Sequence, residues 1–207
     1  MSIERALDEL RRGRPVLVAD APHRENEVDA ILSAERATEP WIAWTVRHTS
    51  GYLCAPLPRD VADRLDLPLM VADSQDPRRT AYAISVDAAA GITTGISAAD
   101  RTRTLHALAA PHATPGDLIR PGHILPLRAV AGGVRKRAGH TEAAVDLCRA
   151  AGLTPVGVIG ELVHDDGPVM RWHDAQILAA EHDLELITIA DLVDWLDTHP
   201  VAEGELV

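Results

Sequence analysis

Apolar side chains at Ile3, Ala6, Leu7 and Leu10 recur with helical spacing, with Ser2 placed to cap the helix and Gly13 and Pro15 to stop it. The next apolar run, residues 15–19, is short and unbroken, which predicts a buried strand. A charged loop, residues 20–29, separates it from the apolar Ala30, Ile31 and Leu32. Thr38-Glu39-Pro40 opens a second helix that carries Trp41, Trp44 and Thr45 on one side and ends near Ser50 and Gly51; tryptophans at that spacing read as core or subunit contacts. Further strands are predicted at 52–55, at 80–86 and on toward Gly91, at 154–159 and at 184–189. Helices are predicted at 60–65, from Ser97 through Leu108, from Thr141 to Gly152, at 175–181, and from about Ala190 through Trp195. Residues 74–79 read as a polar loop, 165–167 as a turn, and the tail after Pro200 as frayed. Strands and helices alternate irregularly, and neither a GxGxxG after the first strand nor a Walker signature supports a nucleotide-binding fold. The pattern predicts one α+β domain over residues 1–207, a mixed sheet covered by helices.

Composition narrows the class. The chain has 207 residues, 46% hydrophobic and 25% charged, as expected of a globular protein, and the absence of Phe leaves the core to Ala, Val, Leu and Ile. The N-terminus is charged without an apolar signal core, and no apolar run is long enough to span a membrane. Cys54 and Cys148 share no metal-ligand spacing and read as reduced thiols of a cytoplasmic protein. Cys54 falls inside a predicted strand, where a buried thiol usually serves packing. The formal charge of −11 disfavours a nucleic-acid partner.

Against that charge, residues 118–141 contain no Asp or Glu, yet hold Arg120, Arg128, Arg135, Lys136, Arg137, His123 and His140. A basic run in an acidic chain predicts a small bound anion, with phosphate the natural candidate. Thr141 is placed to cap the following helix, whose first-turn N–H groups would face that anion. An ordinary capped helix beside a solvated basic loop is the alternative. Residues 20–29 carry Glu25, Glu27 and Asp29 beside Arg24 and Asn26, a set that suits a hard divalent cation and a sugar hydroxyl, or else a solvated turn. Ser97 and Asp100 form a capping-box pattern downstream of Thr93, Thr94 and Gly95, with a plain capped helix as the alternative. The strand PVGVIGE delivers Glu161 at its end, where the surroundings can hold a carboxylate and raise its pKa.

Taken together, Arg24-Glu25-Asn26-Glu27-x-Asp29, the run from Thr93 to Arg101, Arg120-Pro121-Gly122-His123, Arg137-x-Gly139-His140-Thr141-Glu142 and the strand ending in Glu161 resemble the 3,4-dihydroxy-2-butanone 4-phosphate synthase family. The motifs run in register from the first helix to the last. The resemblance implies a three-layer α+β fold, conversion of D-ribulose 5-phosphate to L-3,4-dihydroxy-2-butanone 4-phosphate plus formate in riboflavin biosynthesis, and the single-function form. It also implies two Mg²⁺ or Mn²⁺ ions per site, held by Glu25 and His140. His123, Glu161 and Asp29 are implied as catalytic. Arg24, Glu25, Asp29, Thr94, Asp100, Arg137, Ala138, Gly139, His140, Thr141 and Glu161 are implied as substrate contacts. Thr94, Asp100 and His123 are similar to residues that the family contributes across a homodimer interface, which implies composite active sites.

Three features depart from the family pattern. The family's loop before the arginine is acidic at four positions, roughly Asp-Asp-Glu-Asp, whereas this chain has Asp20-Ala21-Pro22-His23 and keeps only the first acid. Val28 stands for a usual glycine, which predicts strain if that position needs positive φ, and Gly160 stands for a usual cysteine. These departures leave two alternatives open: a diverged paralogue acting on ribulose 5-phosphate or a related pentose phosphate, and a non-catalytic sugar-phosphate-binding dimer.

Overall fold

The computed structural model describes residues 2–199, so the expectation of a frayed tail after Pro200 lies outside the described residues. Ser2 accepts the Arg5 N–H and starts α1 (Ile3–Arg11), whose Ile3, Ala6, Leu7 and Leu10 are all buried. The unbroken apolar run becomes β1 (Val16–Ala19), and β2 (Val28–Ser33) returns antiparallel to it. Both strands are buried on both faces, which is why they read as continuous apolar runs instead of alternating ones. The second strand begins earlier than the apolar pattern predicts. Asp29 therefore belongs to a buried strand and not to the charged loop.

After α2 (Glu39–His48) come β3 (Cys54–Leu57), α3 (Arg59–Arg64) and β4 (Val86–Ala88). The predicted strand over 80–86 is largely irregular, joined to its neighbours only by isolated bridges such as Tyr82 with Leu127. Then α4 (Ala98–Ala109) leads to β5 (Leu118–Arg128), an eleven-residue strand inside the basic run. Its Pro121, Gly122 and Pro126 hide it from a periodicity reading, because such residues normally argue against a strand. Next come α5 (Gly133–Lys136), α6 (His140–Ala150), β6 (Gly157–Glu161), α7 (Trp172–His182), β7 (Leu186–Thr188) and α8 (Ile189–Thr198). The seventh helix starts at Trp172, three residues before its predicted start.

The strands form one mixed sheet in the order β4-β5-β3-β6-β2-β1-β7. β3 runs parallel to β5, and β1 parallel to β7; the other neighbours are antiparallel. Successive side chains point to opposite faces, so one face carries Val16, Val18, Ile31 and Ile159 against α1, α6 and α8. The other face carries Leu32, Ala55, Val158 and Ile124 against α2, α3 and α4, while Leu17, Ala19 and Ala30 meet α7. Helix, sheet and helix give the three layers. Trp41 and Trp44 pack on these clusters edge to face, with centroids 5.9 Å apart, as a core role predicts.

Candidate active site

Asp20 directly follows β1 and organises the loop that it opens. Its buried carboxylate accepts the Glu27 N–H at 2.9 Å on one oxygen, and the Glu25 N–H and Arg24 Nη1 at 3.0 Å on the other. Burial pushes its pKa up, but these hydrogen bonds together outweigh it and hold the group below the usual carboxylate range. One surviving acid is therefore enough to shape the loop without the missing three. Ala21, Pro22 and His23 lie outside the cavity described next, and His23 is exposed. Val28 pairs with Ala19 in the sheet and does not adopt positive φ, so the expected strain there is absent.

A cavity of about 270 Å³ opens beside this loop. It is lined by Arg24, Glu25, Glu27 and Asp29 from one side and by Arg137, His140, Thr141 and Glu161 from the other. Asp29 and Glu161 are partners in the β2–β6 register, so two adjacent strands deliver two carboxyls to one spot. Burial pushes Asp29 well above the usual range, with Glu161, Glu27, Glu25 and Asp20 adding repulsion. Burial and the same crowding also raise Glu27. The Asp29 Oδ1 atom is buried with no hydrogen-bond partner among the described residues.

His140 is buried at the start of α6, 3.0 Å from the Val18 carbonyl through Nε2. A carbonyl only accepts, so Nε2 carries the proton and Nδ1 keeps its lone pair. That lone pair lies 3.5 Å from Asp29 Oδ1. Burial lowers the His140 pKa, with Asp20 opposing, so the ring is held toward its neutral, ligating form. Among the described residues no cluster of three or more His, Cys, Asp or Glu is arranged to hold a metal ion. Oxygen atoms and one imidazole are what the cavity offers to a cation.

The arginine side of the cavity is built around Gly139. This residue, not Thr141, caps α6; Thr141 is the second residue inside the helix, and no side chain caps the first turn. The guanidiniums of Arg137 and Arg24 close over Gly139 so tightly that an added Cβ would lie 2.6 Å from Arg137 Nη1 and 2.8 Å from Arg24 Nη2. Arg137 is held by Glu142 at 2.6 Å, and Glu142, itself buried, accepts the Val130 N–H at 3.0 Å with its other oxygen. Ala138 sits between these residues and is exposed.

The predicted basic cluster does not assemble as one patch. Arg120 is spent on the carbonyls of Pro115, Leu118 and Leu65, Arg128 pairs with Asp63, and Arg135 with Asp197, so only Arg137 of the five cations reaches the cavity. The cavity instead recruits Arg78 from the polar loop. It bonds the Arg24 carbonyl and approaches Glu25 to 3.5 Å. Sequence reasoning missed Arg78, Thr80, Tyr52, Tyr82 and Glu142, and only Glu142 stood within a quoted motif. Cys54 does line the cavity, and burial pushes its thiol far up, which keeps it protonated. Gly160 packs against Thr49, where a Cβ would meet Thr49 Oγ1 at 2.9 Å.

Thr94, Asp100 and His123 stand outside the cavity lining. Ser97 caps α4 by accepting the Asp100 N–H at 3.0 Å, but the Asp100 carboxylate does not complete the capping box. It turns to the Thr93 hydroxyl at 2.7 Å and to the Thr93 and Gly95 N–H groups, and these bonds hold it below the usual carboxylate range. Thr94 and His123 are exposed.

Fold and cavity define a three-layer α+β protein that brings a crowded group of carboxylates, a buried imidazole and two arginines together around one cavity. The chain belongs to the 3,4-dihydroxy-2-butanone 4-phosphate synthase family, whose model matches residues 4–195. It is 58% identical over 194 residues to the riboflavin biosynthesis protein RibBA of Salinispora arenicola, covering 94% of this chain and 46% of that protein. It is 49% identical to the 3,4-dihydroxy-2-butanone 4-phosphate synthase of Chromobacterium violaceum, covering 97% and 95%. The chain thus spans about half the length of the RibBA relatives it matches. A solved 3,4-dihydroxy-2-butanone 4-phosphate synthase in complex with two magnesium ions superposes with a TM-score of 0.92 at 44% identity, covering 98% and 100% of the two chains. No helix among the described residues is long and apolar enough to cross a membrane.

Proposed function

We propose that this protein converts D-ribulose 5-phosphate to L-3,4-dihydroxy-2-butanone 4-phosphate and formate, the lyase step of riboflavin biosynthesis, with two Mg²⁺ or Mn²⁺ ions per site. The observation that carries the reading is the buried meeting of His140 Nδ1 and the orphaned Asp29 Oδ1 at 3.5 Å. Two acceptors facing each other among further carboxylates need a proton or a cation between them. Oxygen donors with one imidazole and no ionised thiol suit a hard divalent ion, and Glu25 and His140 would hold the pair. When bound, the ions polarise the carbonyl and hydroxyls of the sugar and stabilise negative charge that develops on them.

The remaining roles fall to the chain's own groups. Arg24 and Arg137, with the Gly139 backbone, Ala138 and the first turn of α6 through Thr141, bind the phosphate by charge-assisted hydrogen bonds. Glu161, at the strand end, moves protons between the sugar carbons, and Asp29 passes a proton to a substrate oxygen. His123, Thr94 and Asp100 come from a second copy of the chain, which gives a homodimer with two composite sites. Support for that arrangement is the exposure of Thr94 and His123, together with exposed Tyr52, Met70, Val71, Ile96 and Ile119, a set of apolar residues suited to an interface. A reducing, cytoplasmic location accords with two free, buried cysteines.

The test is incubation with ribulose 5-phosphate and Mg²⁺, followed by assay of formate and of the four-carbon dihydroxyketone phosphate. One formate per sugar is expected. Exhaustive chelation should abolish turnover, and Mg²⁺ or Mn²⁺ should restore it. Unchanged turnover in chelator excludes the metal, and sugar loss without formate selects a diverged paralogue.

A further inference from the structure

His123 does not stand alone on its strand. Asp87, in the edge strand β4, is 3% exposed and binds it twice: Oδ1 accepts the His123 backbone N–H at 2.9 Å, and Oδ2 lies 2.6 Å from the ring Nδ1. The ladder between β4 and β5 is irregular at this point, with a register shift between Val86 and Asp87 that turns the carboxylate toward the ring. Two glycines let the backbone close on the pair. A Cβ at Gly122 would lie 2.0 Å from the Val86 carbonyl carbon. One at Gly95, whose φ is +90°, would lie 2.1 Å from Asp87 Oδ2 and 2.6 Å from His123 Nδ1. Asp100 in turn fixes the Thr93–Gly95 backbone that lies over the pair. A buried carboxylate, a half-exposed imidazole and a turn packed over both make one assembly, of which the sequence pattern singled out the imidazole and the turn but not the carboxylate.

We propose that Asp87 is the positioning residue of His123. It accepts the Nδ1–H, holds the ring in the tautomer whose Nε2 bears the lone pair, and thereby selects Nε2 as the atom that takes and returns the proton. The proposal rests on the catalytic role given to His123 above and deepens it. A neutral imidazole has one donor and one acceptor nitrogen, and a carboxylate can only accept, so the Asp87 contact decides which is which. The same contact stabilises the imidazolium once Nε2 has taken a proton.

The experiment compares Asp87→Asn, Asp87→Glu and His123→Ala in the full chain with Mg²⁺, by steady-state kinetics and by ¹⁵N NMR of the histidine rings. The Asn side chain can donate its amide hydrogen to Nδ1, which favours the opposite tautomer. Asp87→Asn is expected to lower kcat by about 10²–10⁴-fold with KM little changed, and Asp87→Glu to recover part of the loss. In the wild type the His123 signals should show a protonated Nδ1 and an unprotonated Nε2, exchanged in Asp87→Asn. The proposal is overturned if the wild-type ring carries its proton on Nε2, an outcome that requires no variant to fold. It is also overturned if Asp87→Asn keeps its kcat while His123→Ala loses activity. Full turnover in His123→Ala, by contrast, overturns the catalytic role of His123 and leaves the tautomer result to decide what Asp87 does.

Discussion

A methyl group at Gly139 is the smallest change that tests the proposed phosphate site separately from the rest of the cavity. In Gly139→Ala the new Cβ would sit 2.6 Å from Arg137 Nη1, 2.8 Å from Arg24 Nη2 and 3.1 Å from Glu142 Oε2. Relaxed contacts of that kind are about 3.5–4.0 Å, so both guanidiniums must retreat by about 1 Å. All three neighbours are the far ends of side chains, and Gly139 has φ −120°, which alanine adopts freely. The fold should therefore survive, with about 1 kcal/mol lost because alanine caps a helix less well than glycine. Binding should not survive unchanged. A hydrogen bond to a charged group contributes about 1.5–3 kcal/mol, so one misplaced guanidinium corresponds to about 10- to 100-fold in affinity. The assay is KM for ribulose 5-phosphate by formate release, with calorimetric binding of inorganic phosphate and thermal unfolding in parallel. A KM within twofold of wild type, in a variant with near-normal Tm, would refute the placement of the phosphate over Gly139.

Other consequences can be measured in the same system. A His123→Ala chain and a Glu25→Gln chain, each inactive alone, should regain a fraction of wild-type turnover when mixed under subunit exchange; no recovery despite proven exchange would place both residues in a single-chain site. Restoring acids as Ala21→Asp, Pro22→Glu and His23→Asp should raise kcat with little change in KM, as expected of groups that act in the transition state; an unchanged kcat would show the acidic loop to be dispensable here. Burial pushes the Cys148 thiol up to about 12 and Cys54 higher still, so neither should be modified by a thiol reagent at pH 8 until the protein is unfolded, and rapid labelling of the native protein would contradict their burial.

Much of the candidate site was legible in the linear chain because it is made of short contiguous pieces. Arg24 to Asp29 runs from the loop after β1 into β2, and Arg137 to Thr141 leads into a helix, so each group carries its own local geometry wherever the fold places it. The parts that were not legible come from segments without periodicity. Arg78 and Thr80 lie in an irregular loop, and β5 is disguised by two prolines and a glycine; their places are set by long-range pairing with Arg24, Arg137 and β3. The basic run shows the converse error. Its charges are adjacent in sequence, but a strand alternates its faces and turns carry the rest elsewhere, so most are spent on carbonyls and surface acids.

By itself the sequence determined the starts of α1, α2 and α4, the apolar strands β1 and β6, the charged loop and the strand-end glutamate, because these follow from periodicity and capping over a few residues. Only the tertiary structure decided that Asp29 is a buried strand residue opposite Glu161, that His140 presents Nδ1 to it, and that Asp87 holds His123. Each of these is a contact between segments far apart in the chain. Its chemistry depends on which ring nitrogen or carboxylate oxygen faces which neighbour, and on how much water is excluded there, and no local pattern in the sequence carries that information.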